Sequence, residues 1–591
     1  MKKLFLLFVA LFSFVVFANA DEHPLTFQWA HSVDGKTLAG DNIIGMCQSG
    51  DYYYVATTFG SASNQDDAMN VYFDGELLKD AKNRVAVGSS YKDGNSQNNN
   101  LVLQKLDKEG NVVWSLYSKK GDVEANNSYI APTPDGGVVL ALKVRAWVAE
   151  EDIHNFFGLV DSRGKECITS IQDNVSGEYR YFLMKITPKG RIGNTFDIAG
   201  TLKKDANGNP YAKNNAYING LTVDEAGNVY IAGNFRTDLK FLKKTSEAVK
   251  LESKSCPNWG GDPQEVVGDL FLVKLDQYLY YENSLLLDGT VNCAFFDKMV
   301  YHDGKLYLDG RIQGNGSDIS LGGKSINVDT KRQTQILASV NASDLSVNYV
   351  KTLTSVPNVD NRFVIQNKGA QYLNGNVYFT GLLNGSWQKE GESKDLLTNY
   401  ESKMLKGYVL KMNPETGDVE KAALRTEGGI GGFFGVYEGA EKLYAFGYDF
   451  TGGAILAPIN KDTYAVETPI QVCKYGIVGI ATTPIIDGEN LVMGNRGGIG
   501  KATNNTASFY GTDKKFENLN CWGSVYYCYK MSDIISTGIN KPMISGVASD
   551  AIVDVYTLGG VKVKSGVAAS NATEGLAKGV YIVNHKKVIV K

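Results

Sequence analysis

Few of the residues that usually carry chemistry stand at spacings that let them work together. The five histidines are His23, His31, His154, His302 and His585. No His-Glu-x-x-His pair puts two imidazoles on one helix face, so zinc hydrolysis lacks its ligands. No Gly-x-Ser-x-Gly elbow offers a nucleophile, and no P-loop offers a cradle for phosphates. The seven cysteines (Cys47, Cys167, Cys256, Cys293, Cys473, Cys521 and Cys528) contain no Cys-x-x-Cys, which removes the common redox and zinc modules. Asp205, Asn207 and Asn209 alternate oxygen donors as a calcium loop does, but Ala216 stands where the closing glutamate belongs. A polar turn is the better reading, and neither a metal nor a cofactor is expected. With 64 acidic residues, a carboxylate pair of the glycosidase kind can be assembled only by the fold.

Large aromatics in long irregular passages are the other candidates: Trp147, Phe156, Phe157, Trp259 and Trp387. Rigid rings of this kind offer contact area to sugars or peptide side chains at little entropic cost. The same residues can instead pin their own loops to a scaffold. The choice depends on the elements that hold them.

Those elements repeat. A strand-like run, often with Tyr, occurs at 51–56, 137–142, 227–233, 304–310, 375–381, 441–447 and 489–494, for example Gly227-Asn-Val-Tyr-Ile-Ala-Gly233. A second run follows each one, at 101–107, 182–187, 270–276, 335–341, 408–413, 454–460 and 525–530, for example Leu270-Phe-Leu-Val-Lys-Leu-Asp276. Turns such as Asp135-Gly136, Asp303-Gly304 and Lys108-Glu109-Gly110 lead into further strands, as tight hairpins require. Four strands per unit in seven units predict an all-β chain folded as a seven-bladed β-propeller with four-stranded blades. The phase of the repeat predicts ring closure. Phe27-Gln-Trp-Ala-His31 matches the strand around Trp114, and Val525–Lys530 matches the strand before it, so the two ends should share one blade and leave no free sheet edge there. The unit resembles bacterial β-propeller repeats, best in Leu221–Gly233; such repeats specify architecture rather than activity.

About 500 residues over seven blades is roughly 70 each, against about 40–45 for a bare blade. The surplus follows the Tyr strands, at 57–100, 143–179, 234–269, 311–334 and 382–406, and should lie on one face with the connections between blades. Long loops on a rigid scaffold are where binding usually sits. Trp147, Phe156, Trp259 and Trp387 are therefore the expected ligand-contacting residues on a loop-rich face.

The two ends read as addresses. Met1-Lys2-Lys3, an apolar run from Leu4 to Phe17 broken only by Ser13, and small residues at Ala18 and Ala20 form a secretory signal peptide over 1–20, with Asp21 as the expected mature start. The run is shorter than the roughly 20 residues that span a bilayer, and no later stretch is apolar enough, so no transmembrane segment is expected. Loss of Lys2 and Lys3 takes the net charge from −4 to about −6, which excludes nucleic-acid binding by bulk charge. The propeller is expected over 21–531 and a linker over 532–544. A small β-sandwich-like module is expected over 545–591.

That last module carries Val553-Asp-Val-Tyr556-Thr-Leu558-Gly559-Gly560, then Gly575-Leu-Ala-Lys-Gly579-Val-Tyr581-Ile-Val583, and ends in Lys587-Val-Ile-Val-Lys591. It resembles the C-terminal sorting domain of the type IX secretion system, with Tyr556, Leu558, Gly559, Gly579, Tyr581, Val583 and Lys591 as the matching positions. The pattern departs where the family often has Arg after the turn glycine and this chain has Gly560-Val561. The resemblance implies partners in the Sec translocon, signal peptidase, the type IX outer-membrane translocon and its sortase. It implies passage through the periplasm of a Gram-negative bacterium to a secreted or cell-surface location. The expected function is that of an exported, non-catalytic propeller binding a glycan or protein. A secreted polysaccharide or peptide hydrolase or lyase, with carboxylates at the propeller mouth, is the alternative, and a structural surface protein is the third.

Overall fold

The computed structural model describes residues 25–35, 42–61, 69–88, 98–145, 147–149, 152–171, 179–198, 216–235, 238–252, 268–291, 293–313, 318–329, 332–357, 364–399, 404–439, 441–449, 453–474, 483–496, 505–519, 523–531, 552–557, 561–568, 571–576, 579–583 and 586–590. All described elements of regular length are strands, and no helix among these residues is long and apolar enough to cross a membrane. The chain divides into two compact units. One holds Phe27–Glu438 and Leu443–Tyr529; the other is built mainly from Lys530–Lys591.

The larger unit is a succession of antiparallel four-stranded meanders, here called blades in chain order. Blade 1 is Ile43–Ser49, Tyr52–Ser61, Asn98–Leu106 and Val112–Lys120. Blade 2 is Asp122–Pro132, Val138–Arg145, Tyr179–Ile186 and Ile192–Asp197, and blade 3 is Ala216–Val223, Val229–Phe235, Asp269–Leu275 and Tyr281–Asp288. Blade 4 is Cys293–His302, Lys305–Gln313, Thr334–Asn341 and Val347–Val356, and blade 5 is Val364–Leu373, Asn376–Lys389, Lys406–Met412 and Val419–Leu424. Blade 6 is Gly431–Glu438, Lys442–Asp449, Gly453–Asn460 and Ile470–Lys474. Blade 7 joins Ile485–Asp487, Asn490–Arg496 and Ser524–Lys530 to the first strand of the chain, Thr26–Gly35, which supplies its outer strand. The split blade expected from the repeat phase is thus formed. The first strand of each blade touches that of the next, from blade 1 through blade 6, and the first strands of blades 1 and 7 touch each other. This is the inner ring of a β-propeller.

The repeated residues weld neighbouring blades. The Tyr54 hydroxyl donates to the Gly136 carbonyl of blade 2 at 2.7 Å, and the Tyr230 hydroxyl donates to the Ala342 carbonyl of blade 4 at 2.9 Å. The Trp114 indole donates to Pro188 O at 3.1 Å, and at the closure Trp29 donates to Lys108 O at 3.2 Å. Gly110 turns with φ of +89° beneath the Trp29 ring, where a Cβ would lie 2.6 Å from ring atoms, so glycine is needed for both the conformation and the space. The turn acids are structural. Asp161, Asp224 and Asp276 each accept backbone N–H groups two and four residues on, so these carboxylates hold hairpins.

The smaller unit contains one antiparallel sheet in the order Lys562–Ala568, Ile552–Thr557, Gly579–Val583 and Lys586–Val590. Val553, Val555, Ala572, Tyr581 and Val583 form its core. Asp554 binds Lys562 Nζ at 2.6 Å and accepts from Ser565 and Gly566 N; these bonds hold its carboxyl well below the usual range.

Candidate functional site on the inner ring

In their described parts the insertions are strands and hairpins rather than the free loops expected from their length. Most reach back to the outer strand of the preceding blade. Val71–Phe73 from blade 1 pairs with Thr26–Gly35 of blade 7, and Asp152–Val160 from blade 2 pairs with Val112–Lys120 of blade 1. Ser320–Leu321 from blade 4 pairs with Tyr281–Asp288 of blade 3, and the long second strand of blade 5 pairs with Val347–Val356 of blade 4. Asn505–Phe509 from blade 7 pairs with Ile470–Lys474 of blade 6. In blade 3 the insertion folds into a hairpin, Asp238–Leu242 with Ala248–Glu252. Its Leu239, Phe241 and Leu251 are buried with Phe196 and Ile198 of blade 2. The physical reason is shared need. An outer strand has a row of unpaired N–H and C=O groups, and an apolar insertion needs somewhere to bury itself.

This corrects the reading of the aromatics. Trp387 is fully buried in the core between blades 4 and 5, edge-to-face with Tyr408 at 5.0 Å, and Phe157 is buried against Phe182 at 5.4 Å. Neither faces solvent. Trp147 and Phe156 are paired backbone to backbone in one hairpin; their side chains, and all of Trp259, lie outside the described residues. So do Ala18, Ala20 and Asp21, the segment with Asp205, Asn207 and Asn209, and Leu558, Gly559 and Lys591. In the smaller unit Tyr556 pairs with Ile582, Gly579 with Val590, and Tyr581 and Val583 are core residues. His31 bridges Asp74 and Gly110 O, both at 2.8 Å, and so serves the closure.

The structure instead gathers polar groups on the inner ring. A β-bulge recurs in the first strands of blades 1, 3, 4, 5 and 6, and a longer irregularity in blade 2. Such bulges re-aim side chains. The residue after the bulge is Gly45, Gly220, Gly369 and Gly435 in four blades, because neighbouring inner strands approach closely: a Cβ on Gly45 would lie 2.7 Å from Ile130, and on Gly369 2.2 Å from Phe434 O. Blades 2 and 4 break the pattern with Tyr129 and Lys298. Across Gly220 of blade 3 the Lys298 ammonium donates to the Tyr129 hydroxyl at 3.3 Å and to Asn219 O at 3.2 Å, and sits 4.7 Å from the Tyr129 ring.

Beside it lies a buried polar network. Arg311 grips Asp297 with two bonds, 2.8 and 3.0 Å, and Asn367 of blade 5 donates to the same carboxylate at 2.7 Å. Tyr408 donates to Asn367 Oδ1. Asp309 is fully buried and accepts from Lys298 N at 2.7 Å. Burial first, then the charge of Asp297, push its carboxyl well above the usual range. Two carboxyls and a tyrosine therefore converge, but Asp297 is fully engaged and Asp309 is sealed off.

Lys368 is different. It is the bulge residue of blade 5, half-buried, and among the described residues no side-chain or backbone group accepts from its ammonium. Its strongest charged neighbours are Lys298, Arg496, Asp297 and Arg311, three of them cations. Desolvation, then repulsion from Lys298 and Arg496, push its pKa down to about 8. Arg496, at the end of the second strand of blade 7, donates to Asn42 Oδ1 at 2.7 Å, and burial lowers its pKa as well. Arg496 occupies the position of Lys143 in blade 2 and Arg311 in blade 4. Those two are neutralised by carboxylates, Lys143 by Glu124 at 2.7 Å and Arg311 by Asp297. The repeat itself was the available signal: charged residues at inner positions where most other blades carry uncharged ones.

No family model and no curated protein matches the chain. Among solved structures it is similar to one described as the Dos1 propeller (10% identity, 87% of this chain and 97% of that one, TM-score 0.31). It is also similar to dihydro-heme d1 dehydrogenase NirN in complex with DHE (10% identity, 73% of each chain, TM-score 0.27). The propeller architecture is read from strand pairing, independently of these.

Proposed function

We propose that the protein is an exported binding propeller rather than a catalyst, delivered through the periplasm to the cell surface or beyond. Support for delivery comes from the signal-peptide pattern over 1–20 and the sorting-domain resemblance of the last segment, with the Sec and type IX machineries as partners. Support for binding rests on one observation. The converging carboxyls Asp297 and Asp309 are consumed by the fold, while Lys368 stands half-buried on the inner ring with no acceptor among the described residues. General acid–base chemistry needs an accessible, unengaged carboxyl; recognition needs a preformed polar group awaiting a partner. The ligand class is a glycan or protein.

Deleting Gly575–Lys591 should leave the protein in the periplasm, read by cell fractionation; normal surface delivery would overturn the sorting claim. Mature protein on an acidic-glycan array should retain ligand without releasing reducing ends. Steady release of cleavage products would favour the hydrolase reading instead.

A further inference from the structure

Among the described residues, the inner ring sets the unpartnered ammonium of Lys368 among other cations. Around Lys368 stand Lys298 and Arg496, while Arg311 is already matched by Asp297. The chain as a whole is slightly acidic, with a formal charge of −4, so the cluster is not an outcome of composition. Neighbouring cations that repel and are desolvated raise the energy of the folded state unless something negative joins them. The sequence could have avoided the conflict. Other blades place Ile44, Asn219 and Phe434 at the bulge position of Lys368, and glycine at the position of Lys298. The scaffold therefore tolerates neutral residues at both places.

The donors also differ in kind. Lys298 is oriented by Tyr129 and Asn219 O, and Arg496 by Asn42, which fixes two cations in direction. Lys368, with three protons and no acceptor among the described residues, completes the set. Tyr448, whose pKa is raised by burial and which acts on Arg496, adds a ring nearby.

We propose that Lys298, Lys368 and Arg496 form an oxyanion-recognition site on the inner ring, which takes the carboxylate, sulfate or phosphate group of an acidic ligand. A tetrahedral or planar oxyanion offers several acceptor lone pairs, which suits two ammonium groups and one guanidinium contributed by blades 4, 5 and 7. The site deepens the binding reading by naming the group recognised, but its test does not depend on export or on the identity of the macromolecule.

The test is titration of the mature protein with sodium sulfate, phosphate and glucuronate at constant ionic strength against chloride, followed by calorimetry and by the urea midpoint. At least one of the three should bind saturably and raise the midpoint, and the one that does identifies the group. Lys368→Met and Lys298→Met should each weaken binding at least tenfold. Lys368→Arg, which keeps the charge, should retain most of it, and Lys324→Met, an exposed change in the blade 4 insertion, should have no effect. Absence of saturable binding by all three anions would overturn the site, as would equal affinity in wild type and folded Lys368→Met. Failure of the glycan array with success here would leave this site standing and remove only the macromolecular ligand.

Discussion

Replacing Lys368 by methionine should stabilise the propeller while abolishing its response to oxyanions. The interval between an ordinary lysine at 10.5 and the folded-state value of about 8 measures what the charged form costs when folded. At about 1.4 kcal/mol for each pH unit, that is about 3 kcal/mol. Solvent on the open side of this half-buried group screens part of it, so the expected gain is about 1–3 kcal/mol at pH 7. Methionine keeps an unbranched chain one atom shorter and removes the charge. The pH dependence follows from the depressed lysine pKa. Below pH 8 Lys368 is charged in both states and the folded state bears the full cost. Between about 8 and 10.5 the unfolded chain holds the proton more tightly, so wild-type stability rises with pH and the advantage of the variant shrinks. The charged groups that act on Lys368 are Lys298, Arg496, Asp297 and Arg311. Equilibrium urea unfolding of both proteins at pH 7.0, 8.5 and 9.5 measures this. A variant less stable than wild type at pH 7, or a gain that does not change with pH, would refute the reasoning.

Trp29→Ala should cost about 3–5 kcal/mol, because the indole is buried at the closing blade and its loss also strands Lys108 O; thermal unfolding and protease sensitivity at the N-terminal strand measure it. Asp309→Asn keeps the acceptor for Lys298 N–H and removes a carboxyl whose pKa is raised in the folded state. Wild-type stability should therefore fall as pH rises from the ordinary aspartate range through that raised pKa, and the variant should lack this fall in urea titrations between pH 4 and 8. Leu321→Lys places a charge in a fully buried position of an edge-covering insertion, so the outer strand of blade 3 should be uncovered and light scattering should rise on mild heating.

The ring was legible in the sequence because most blades repeat the turn glycines and the Tyr strand, and because Trp29 falls in phase with Trp114. The insertions were not. Their apolar residues were read as loop decoration, yet Phe157 and Trp387 lie in strands that extend or cap a neighbouring blade, and nothing local distinguishes a strand that pairs far away from a loop. The inner cations were also missed. Lys298 follows Asp297 in an otherwise apolar run and Lys368 is the one charge in Val364–Leu373, and only the superposition of bulges shows that they share a level of the ring with glycines.

The treatment of the edges bears on where a ligand can attach. Outer strands of blades 1, 3, 4, 6 and 7 are paired with donated strands, and that of blade 2 lies against an apolar hairpin. Blade 5 differs, because the insertion that would reach it spans only residues between Asp449 and Gly453. Its outer strand, Val419–Leu424, has no further partner strand among the described residues, but it exposes Glu420 and Lys421. Glu420 is tied to Lys411 and Asn413, and Lys421 to Asp462 O. Charges on an edge discourage strand addition as effectively as a cover does. With the outer edges occupied or guarded, recognition by β-augmentation has little to work with, and the unsatisfied chemistry is left on the inner ring at Lys368. The Glu420→Val, Lys421→Thr double variant tests the guard: it should self-associate through blade 5, seen as dimers in sedimentation, while keeping the same oxyanion response. If the double variant stays monomeric, the charges are not what protects that edge.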